Sequence, residues 1–440
     1  MKYLAYVLIP TLWLLRPVCA QIQAGDSLAY LNSKTPTVKD YGAKGDCSTD
    51  DSAAFNAAVA TGRRVIVPWS AQCYAIGSTV SIRTTGTVLS GDGNGTPGGF
   101  GSLLKWTGAP GGTLLKIVNG AHDVEISGLI LDGNALADVT LHVEILNGSS
   151  TQNPRVLKCV FQNYRSRAMV IGVNDTLLLS NGQAQTVYLE HLVFRGGSLN
   201  TAYGILQNAQ NSEFTTCVNC YFDPVPGTYQ NHAYHVFNRA GGMQLISLVT
   251  TRSDLASLYL YDTINVFGWR AEDSVLFTGS AGDYSSPVTM QNVLQRSTAP
   301  AATVGVIAAD QKGFTLRDAV LQGNLAVGAT DARFVTLEHI RFEYGGGVIL
   351  GGPTKNQSVS FLDTFSGSLL LTTPSGGSVV LSDNLTSGSI KYQSGAIVSD
   401  APIDAKGYKV GGAAGVSKTC TNAPTAVRVS NGIITSITCN

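Results

Sequence analysis

The sequence predicts an all-β protein built from stacked, repeating coils of short strands. Charged residues make up only 13% of the chain, against about 25% in typical soluble proteins, and 49 of the 440 residues are glycine. A long helical protein would need more charged helix formers. The equal numbers of basic and acidic residues, 29 each, argue against a nucleic-acid-binding protein, which would need a basic face.

The third observation behind this prediction is a repeated unit. Each unit has an apolar run, a polar corner, a second apolar run and a turn rich in Gly or Asn, as in Val124–Asp132 and Val187–Arg195. Successive units start 20 to 32 residues apart, which is typical of a solenoid. Stacking would give the units a continuous core, whereas the alternative, a β-sandwich, would need more hairpin turns. The other units start at Val156, Phe214, Met243, Ile264, Val288, Phe314, Val335, Val359 and Val379.

Residues 1–20 are predicted to be a signal peptide. Lys2 precedes the apolar run Leu4–Leu15, and Val18 and Ala20 occupy the −3 and −1 positions of a cleavage site. Arg16 interrupts the run, which is therefore too short to span a bilayer. We expect a secreted, extracellular protein that is not anchored in a membrane.

Export would permit disulfide bonds. Seven cysteines remain after the signal peptide, so at least one is free or bonded to another chain. We expect the pairs Cys47–Cys73 and Cys420–Cys439. Cys217 and Cys220 have a spacing also found in metal and redox sites, but packing of one or both inside a strand is the favoured interpretation.

One helix is predicted over residues 49–61. Ser48 or Thr49 could cap it, Asp50 and Asp51 suit the positive end of its dipole, and Gly62 could end it. This helix is well placed to cover the first coil, where a solenoid exposes its core and its unpaired strand edge.

The segment 40–58, which overlaps this helix, closely resembles the opening of the pectate-lyase-like superfamily, in its rhamnogalacturonase and epimerase-like branch. Cys47 departs from that motif, which usually has Gly there. The resemblance implies a single-stranded right-handed parallel β-helix over residues 21–395, the fold of secreted polysaccharide-cleaving enzymes and phage tailspikes. In this family the motif caps the helix and is not catalytic. The polygalacturonase motifs Asn-Thr-Asp, Asp-Asp and Gly-His-Gly are not found here in their usual arrangement, so that chemistry is not expected.

Residues 396–440 are predicted to form a hairpin-like appendage around Asn431-Gly432. The segment resembles short C-terminal modules of phage tail and bacterial surface proteins. A simple cap for the last coil is an equal alternative.

Alignment of the repeats predicts two columns of polar side chains, because parallel coils in register stack equivalent positions. The first column follows one apolar run, and the second column lies at the exit of the next run. Both columns are richest in charge between residues 190 and 275. The first contains Asp132, Gln162, Arg195, Asp223, Thr251, Glu272, Gln322 and Glu343, and the second contains Gln207, Asn208, Asn238, Asp262 and Thr278.

The face built by residues 195–273 is the predicted functional site. Asp223, Asp254 and Asp262 are the candidate acid and base groups, and Arg195 and Arg252 would stabilise charge on the substrate. Aromatic rings with polar edges suit sugars, although a plain aromatic stack is the alternative for each ring. The candidate substrate-binding residues are Tyr203, Tyr234, Tyr259, His235 and Asn238.

The predicted function is cleavage of an extracellular polysaccharide. A hydrolase would need two carboxyl groups, whereas a lyase acting on uronates would need a base and a cation. No cofactor is expected, except Ca²⁺ held by oxygens if the protein is a lyase. The alternative is a non-catalytic surface or tailspike-like protein that binds glycan. No nucleic-acid partner is expected, and the protein is expected to be a monomer or a homotrimer.

Overall fold

The computed structural model describes residues 35–93, 101–210, 215–224, 232–279, 287–297, 303–307, 313–327, 335–344 and 346–350, and beyond these only the strands between residues 358 and 439. The signal peptide and Cys420 lie outside the described residues, and so does the turn Asn431-Gly432. Within them the chain is a right-handed parallel β-helix, as predicted.

Three parallel sheets run the length of the β-helix, and each coil contributes one strand to each sheet. The first sheet contains Arg64–Val67, Val88–Gly91, Glu125–Ser127, Arg155–Leu157, Tyr188–Glu190, Thr215–Val218, Met243–Thr250, Ile264–Ala271, Val288–Gln295, Phe314–Gln322, Val335–Glu343, Ser358–Leu362 and Ser378–Leu381. The second sheet contains Tyr74–Ile76, Ser102–Trp106, Leu129–Asp132, Val160–Gln162, Val193–Phe194 and Tyr221–Phe222. From Met243 to Glu343 the first and second strands of each coil form one long strand.

The third sheet closes each coil. Its strands are Val80–Ile82, Thr113–Ile117, Val139–Glu144, Arg167–Gly172, Tyr203–Asn208, His232–Ala240, Ser253–Leu260, Phe277–Gly279, Thr303–Ile307, Asn324–Val327, Gly347–Leu350, Ser366–Leu371 and Ser387–Tyr392. Two short parallel strands, Ser150–Gln152 and Gln183–Gln185, pair at the corner that leads back to the first sheet. Antiparallel pairs follow near the C terminus: Lys409–Val410 with Ala413–Ala414, and Pro424–Ser430 with Ile433–Cys439.

The pairing register agrees with most of the predicted repeat. The starts from Met243 to Val379 pair directly, one coil to the next. The predicted start at Val156 lies two residues too far along its coil. Val156 pairs with Ile126 and Leu189, and each of these lies two residues after the predicted start of its own unit. Arg64–Val67 and Val88–Gly91 add two earlier coils that the repeat pattern did not include.

The core lies inside the coils and consists of stacked columns of buried side chains. One column runs through the first sheet from Leu89 to Leu337, with every member at most 1% exposed. In the second sheet Phe161, Phe194 and Phe222 stack at centroid distances of 5.0 and 4.3 Å. Each ring fills the space between its neighbours, so the stack supports the register that the backbone pairing of these strands sets.

A second kind of column forms the bend between the first and second sheets. Its residues have left-handed backbone conformations, with φ between 51° and 71°. Asn, Asp and His tolerate this conformation better than other side chains, and Gly has no Cβ to be strained. The bend therefore recurs at one position in successive coils, namely at Gly128, Lys158, His191, Asn219, Ser247, Gly268, Asn292, Asp318 and His339.

The capping helix spans Ser52–Val59 and is shorter than predicted. Ser48 and Thr49 do not cap it, because their backbone N–H groups donate to Asp46 in the preceding turn. Asp50 instead accepts from the N–H groups of Ser52 and Gly77, which joins the start of the helix to the first coil.

Two disulfides are present. Cys47–Cys73 is bonded as predicted and ties the cap to the first coil. Cys217 and Cys220 are buried, as expected, but they are also bonded to each other, which the sequence analysis did not predict. Cys159 is a free, buried thiol.

We predict that loss of the Cys47–Cys73 bond lowers the free energy of unfolding by about 3 kcal/mol, because this bond closes the longer loop in the unfolded chain. The measurement is urea unfolding of the Cys47→Ala/Cys73→Ala variant. The control is Cys217→Ala/Cys220→Ala, whose bond closes a separation of 3 residues rather than 26 and should contribute about 2 kcal/mol. A larger loss in the control would contradict this assignment.

Candidate functional site

The predicted first polar column is present on the outer side of the second sheet. Phe161, Phe194, Phe222 and Thr250 pair in succession, so the residues that follow them also stack. The column continues through the long strands, where Gln322 pairs with Glu343. Its members are Asp132, Gln162, Arg195, Asp223, Thr251, Glu272, Arg296, Gln322 and Glu343.

Asp223 is held by three side chains. Thr251 Oγ1 donates to its Oδ1 at 2.7 Å, and Tyr221 Oη donates to its Oδ2 at 3.0 Å. Arg252 forms an ion pair with the same carboxylate. Arg195 is adjacent to Asp223 in the column, but its Nη1 donates to Gln162 Oε1 at 3.3 Å. Asp223 therefore lies between the two predicted arginines and pairs with one of them.

Glu272 lies two coils from Asp223 in the same column. Coils of a parallel sheet are about 4.8 Å apart, so the two backbone positions are about 9.6 Å apart. Arg270 pairs with Glu272 at 3.1 Å, and both side chains are largely exposed. Partial burial, and then the charges of Asp223 and Glu272, raise the pKa of Tyr221. Tyr221 thus donates to Asp223 directly, and the charge of Glu272 also acts on its phenol.

An open groove of about 460 Å³ runs beside this column. One side follows the left-handed bend, where Gly268 interrupts the row of side chains between Ser247 and Asn292. The other side includes Tyr221 and Arg270, which are the partners of Asp223 and Glu272. Groove and carboxylates therefore form one surface, which we call the Tyr221 groove. Its remaining lining residues are Asn219, Cys220, Leu248, Val249, Trp269 and Leu294.

The structure separates the three predicted carboxylates. Asp254 is exposed at the start of the strand Ser253–Leu260, close in the chain to Arg252. Asp262 lies at another corner, where its Oδ2 accepts from Gly241 N at 2.8 Å and its Oδ1 from Thr263 N at 2.7 Å. The expectation that Asp262 shares a face with Asp223 is wrong. Asp262 accepts hydrogen bonds from backbone N–H groups at the turn that follows the third sheet.

Asn238 is fully buried rather than exposed to a substrate. Its amide donates to the carbonyl oxygens of Gly241 and Thr263 at 3.1 and 3.4 Å. Gln207 pairs with Asn238 in the adjacent coil and donates to Ala240 O. Both side-chain amides therefore donate hydrogen bonds to backbone carbonyl oxygens at the corner that follows the third sheet. The second predicted column does not continue beyond this pair, because Asn238 pairs with Leu260 rather than Asp262, and Thr278 pairs with Tyr259.

The three predicted tyrosines lie together on the outer face of the third sheet, not beside the Tyr221 groove. Tyr203 stacks on Tyr234 with centroids 6.1 Å apart, and Phe237 stacks on Tyr259 at 4.3 Å. Stacking along the β-helix axis directs the ring faces toward each other. This group therefore presents ring edges and hydroxyl groups rather than flat faces for sugar stacking.

His235 lies inside the β-helix and cannot contact a polysaccharide. Its side chain is fully buried, with Nδ1 at 2.7 Å from His232 Nδ1 and Nε2 at 3.4 Å from Asp273 Oδ2. The second distance is long for a hydrogen bond, so we treat it as an electrostatic contact. Alternation of apolar and polar residues did not reveal this buried group, because a polar residue in a strand normally faces outward.

We predict that acid destabilises the fold through this interior group. Burial, and then the charge of His235, lower the pKa of His232 well below its ordinary value. A histidine with a lowered pKa contributes stability above its unfolded pKa of about 6.5, and this stability is lost as the pH falls. Urea midpoints measured from about pH 8 to about pH 5 should therefore decrease, and the decrease should be smaller in His232→Gln.

The matched control for the acid effect is His191→Gln, because the side chain of His191 is half exposed. This variant should keep the wild-type dependence on pH. An identical slope in His232→Gln and wild type would assign the acid effect to other groups.

Among the described residues, no three His, Cys, Asp or Glu side chains are grouped closely enough to hold a metal ion. No helix in the same part of the chain is long and apolar enough to cross a bilayer.

Residues 37–234 match a known family model. Its description is rhamnogalacturonase A/epimerase, pectate lyase-like. The resemblance predicted from the segment 40–58 is therefore confirmed. The match to this family includes Asp223 and ends before Arg252 and Glu272.

Solved structures support the fold. The N-terminal fragment of gene product 12 of bacteriophage phi29 is 18% identical, with a TM-score of 0.58 over 81% of this chain and 71% of its own. A tailspike protein mutant of E. coli bacteriophage HK620, in complex with a pentasaccharide, is 10% identical, with a TM-score of 0.57 over 83% and 80%. DFA-IIIase from Arthrobacter chlorophenolicus, in complex with GF2, is 12% identical, with a TM-score of 0.51 over 74% and 94%. No curated protein matches the chain in sequence.

Proposed function

We propose that this protein binds an extracellular polysaccharide in the Tyr221 groove and hydrolyses it. One observation carries the proposal: Asp223 and Glu272 lie two coils apart in one column, and their partners Tyr221 and Arg270 both line an open groove. Inverting glycosidases separate their two carboxyl groups by about 6.5–9.5 Å. Side chains that lean toward each other from backbones about 9.6 Å apart fit this range.

The contacts of the two carboxylates suggest different roles. Arg252 and the hydroxyl groups of Thr251 and Tyr221 stabilise the charged form of Asp223, which suits a base that activates water. Among the described side chains, Glu272 pairs with Arg270 in an exposed contact, and exposed ion pairs are weak. A bound glycan could displace this contact and allow Glu272 to act as the acid.

We also propose that the protein is exported. The signal-peptide pattern of residues 1–20 and the disulfides Cys47–Cys73 and Cys217–Cys220 support this. Disulfides persist in oxidising compartments and are rare in the cytosol. The similar tailspike and DFA-IIIase structures contain a pentasaccharide and GF2, which agrees with a role in carbohydrate recognition.

The second candidate is a non-catalytic, tailspike-like glycan-binding protein. It is favoured by the number of bonds at Asp223, since a carboxylate that only stabilises a corner would make the same contacts. In this case the Tyr221 groove would bind glycan without turning it over.

A panel of extracellular polysaccharides tests both candidates. Hydrolysis gives new reducing ends without unsaturated products, and elimination gives unsaturated products. Binding without either product supports the second candidate. Replacement of Arg270 by Leu should weaken binding in the groove, and Arg317→Leu is a matched control, because Arg317 is also a surface arginine paired with a glutamate. Equal binding by the two variants would show that the glycan does not bind in the Tyr221 groove.

A further inference from the structure

A chain of four ionisable side chains passes through the interior of the β-helix next to the proposed site. Tyr164 Oη contacts His232 Nε2, His232 Nδ1 contacts His235 Nδ1, and His235 Nε2 faces Asp273 Oδ2. All four side chains are at most 2% exposed. The proposed hydrolysis uses none of them.

The contacts select one arrangement of protons. One of the two Nδ1 atoms must carry a proton to form a hydrogen bond between the rings. His235 Nε2 must also carry a proton, because its lone pair would otherwise face the negative Asp273 carboxylate. A neutral His235 has only one ring proton, so His232 Nδ1–H donates to His235 Nδ1, and His235 Nε2–H faces Asp273. His232 Nε2 then accepts from the Tyr164 hydroxyl group. In this neutral arrangement each proton points toward Asp273.

One added proton reverses this chain. His235 then carries a proton on both nitrogens and donates to His232, and His232 donates from Nε2 to Tyr164. The Tyr164 hydroxyl group loses its acceptor, and the group facing Asp273 changes from neutral to positive. The two states thus differ in the charge that acts on the Asp273 carboxylate.

Asp273 connects this chain to the proposed site. Its Oδ1 accepts from Ser253 N at 2.6 Å and from Ser253 Oγ at 2.8 Å. Ser253 directly follows Arg252, the ion-pair partner of Asp223. His235 and Ser253 hold opposite oxygens of this carboxylate. A cation at His235 would draw Oδ2 toward its ring and lengthen the Ser253 bonds to Oδ1, and the backbone at Arg252 would then be less tightly held.

Within the described part of the protein, the charges that act on His232 and on Asp273 come from the chain itself. The charges that act on His232 are those of His235 and Asp273. Phe222 packs against both histidine rings, and the strand Ser253–Leu260 contributes hydroxyl groups, with Ser257 Oγ donating to Asp273 Oδ2 at 2.6 Å.

We propose that Tyr164, His232, His235 and Asp273 form a buried proton relay that makes the position of Arg252 depend on pH. The regulatory part of this proposal rests on the proposed function of Asp223, whereas the relay itself does not. Acid would release Arg252 from Asp223 and weaken glycan binding.

Trp269 supplies a built-in reporter of the relay. Its Nε1 donates to Thr250 Oγ1 at 3.0 Å, and Thr250 Oγ1 lies 3.3 Å from the Ser257 hydroxyl group that donates to Asp273. Labelling histidine and tryptophan with ¹⁵N allows the ring signals of the relay and the indole signal of Trp269 to be followed from about pH 7 to about pH 4, because the pKa of the buried His232 lies well below its ordinary value. We expect one common midpoint, and the Trp269 change should be absent in Asp273→Asn.

Crystal structures on the two sides of this midpoint test the connection to the site. The expected result is an altered Arg252–Asp223 pair at the lower pH. Histidine signals that titrate without any change at Trp269 or Arg252 would overturn the proposal, and so would the absence of titration before unfolding. These measurements use the wild-type protein, so they decide the question even if Asp273→Asn does not fold.

A glycan identified by the panel adds a functional test. Its affinity should fall about fivefold or more between about pH 7 and about pH 4, and the fall should be absent in His232→Gln. The control His142→Gln replaces another buried histidine, which lies on a different strand and contacts Gly172 O, and should keep the fall. If no glycan binds, the proposed function fails while the spectra and crystal structures still decide the relay.

Discussion

The Asp223→Asn variant is expected to lose polysaccharide hydrolysis by about 10²–10⁴-fold, because asparagine cannot accept a proton from the attacking water. Stability should change little, since the Asp223–Arg252 pair is partly exposed and such pairs contribute about 1 kcal/mol or less. The measurement is the release of reducing ends, together with the urea midpoint of the same preparation.

The control for this experiment is Asp262→Asn. Asp262 only accepts from backbone N–H groups at another corner, so this variant should keep its activity. Retained activity in Asp223→Asn would return Asp223 to the role of a corner residue, and lost activity in both variants would contradict the placement of the site.

The second large effect is expected in the core. Phe194→Ala should lower the free energy of unfolding by about 3–5 kcal/mol. The ring of Phe194 is fully buried and lies between Phe161 and Phe222, so its removal leaves a cavity that the adjacent coils cannot fill. Denaturant unfolding measures the loss directly.

Phe194→Leu is the matched variant, because leucine keeps most of the apolar volume. It should cost clearly less than Phe194→Ala. Equal losses would mean that the stack depends on ring contacts rather than on filling of the core.

The repeat was predicted best where the coils are most uniform. From Met243 to Val379 each coil begins with an apolar residue that pairs with the start of the next coil. Earlier coils carry extra structure, and the short strand Ser150–Gln152 comes just before the unit that was misplaced at Val156. Such additions shift the apparent start of a unit without changing its apolar pattern.

The column containing Asp223 and Glu272 could be predicted because it needs only the register of the coils. The role of Asp262 could not, because it depends on the N–H group of Gly241 at a corner far away in the sequence. The interior position of His235 was also hidden. Its pocket exists because the column above Phe222 changes from phenylalanine to Thr250, a change visible only once the coils are aligned in space.

The repeated left-handed bend between the first and second sheets makes the length of this protein adjustable in whole units. His339 stands at the same bend as Asp318, so deletion of residues 318–338 would join two equivalent positions of neighbouring coils. The rod would become shorter by one coil, about 4.8 Å, and the coils that carry Asp223 and Glu272 would keep their register. Gain or loss of such units gives this scaffold a simple way to change the reach of its C-terminal end without altering the Tyr221 groove.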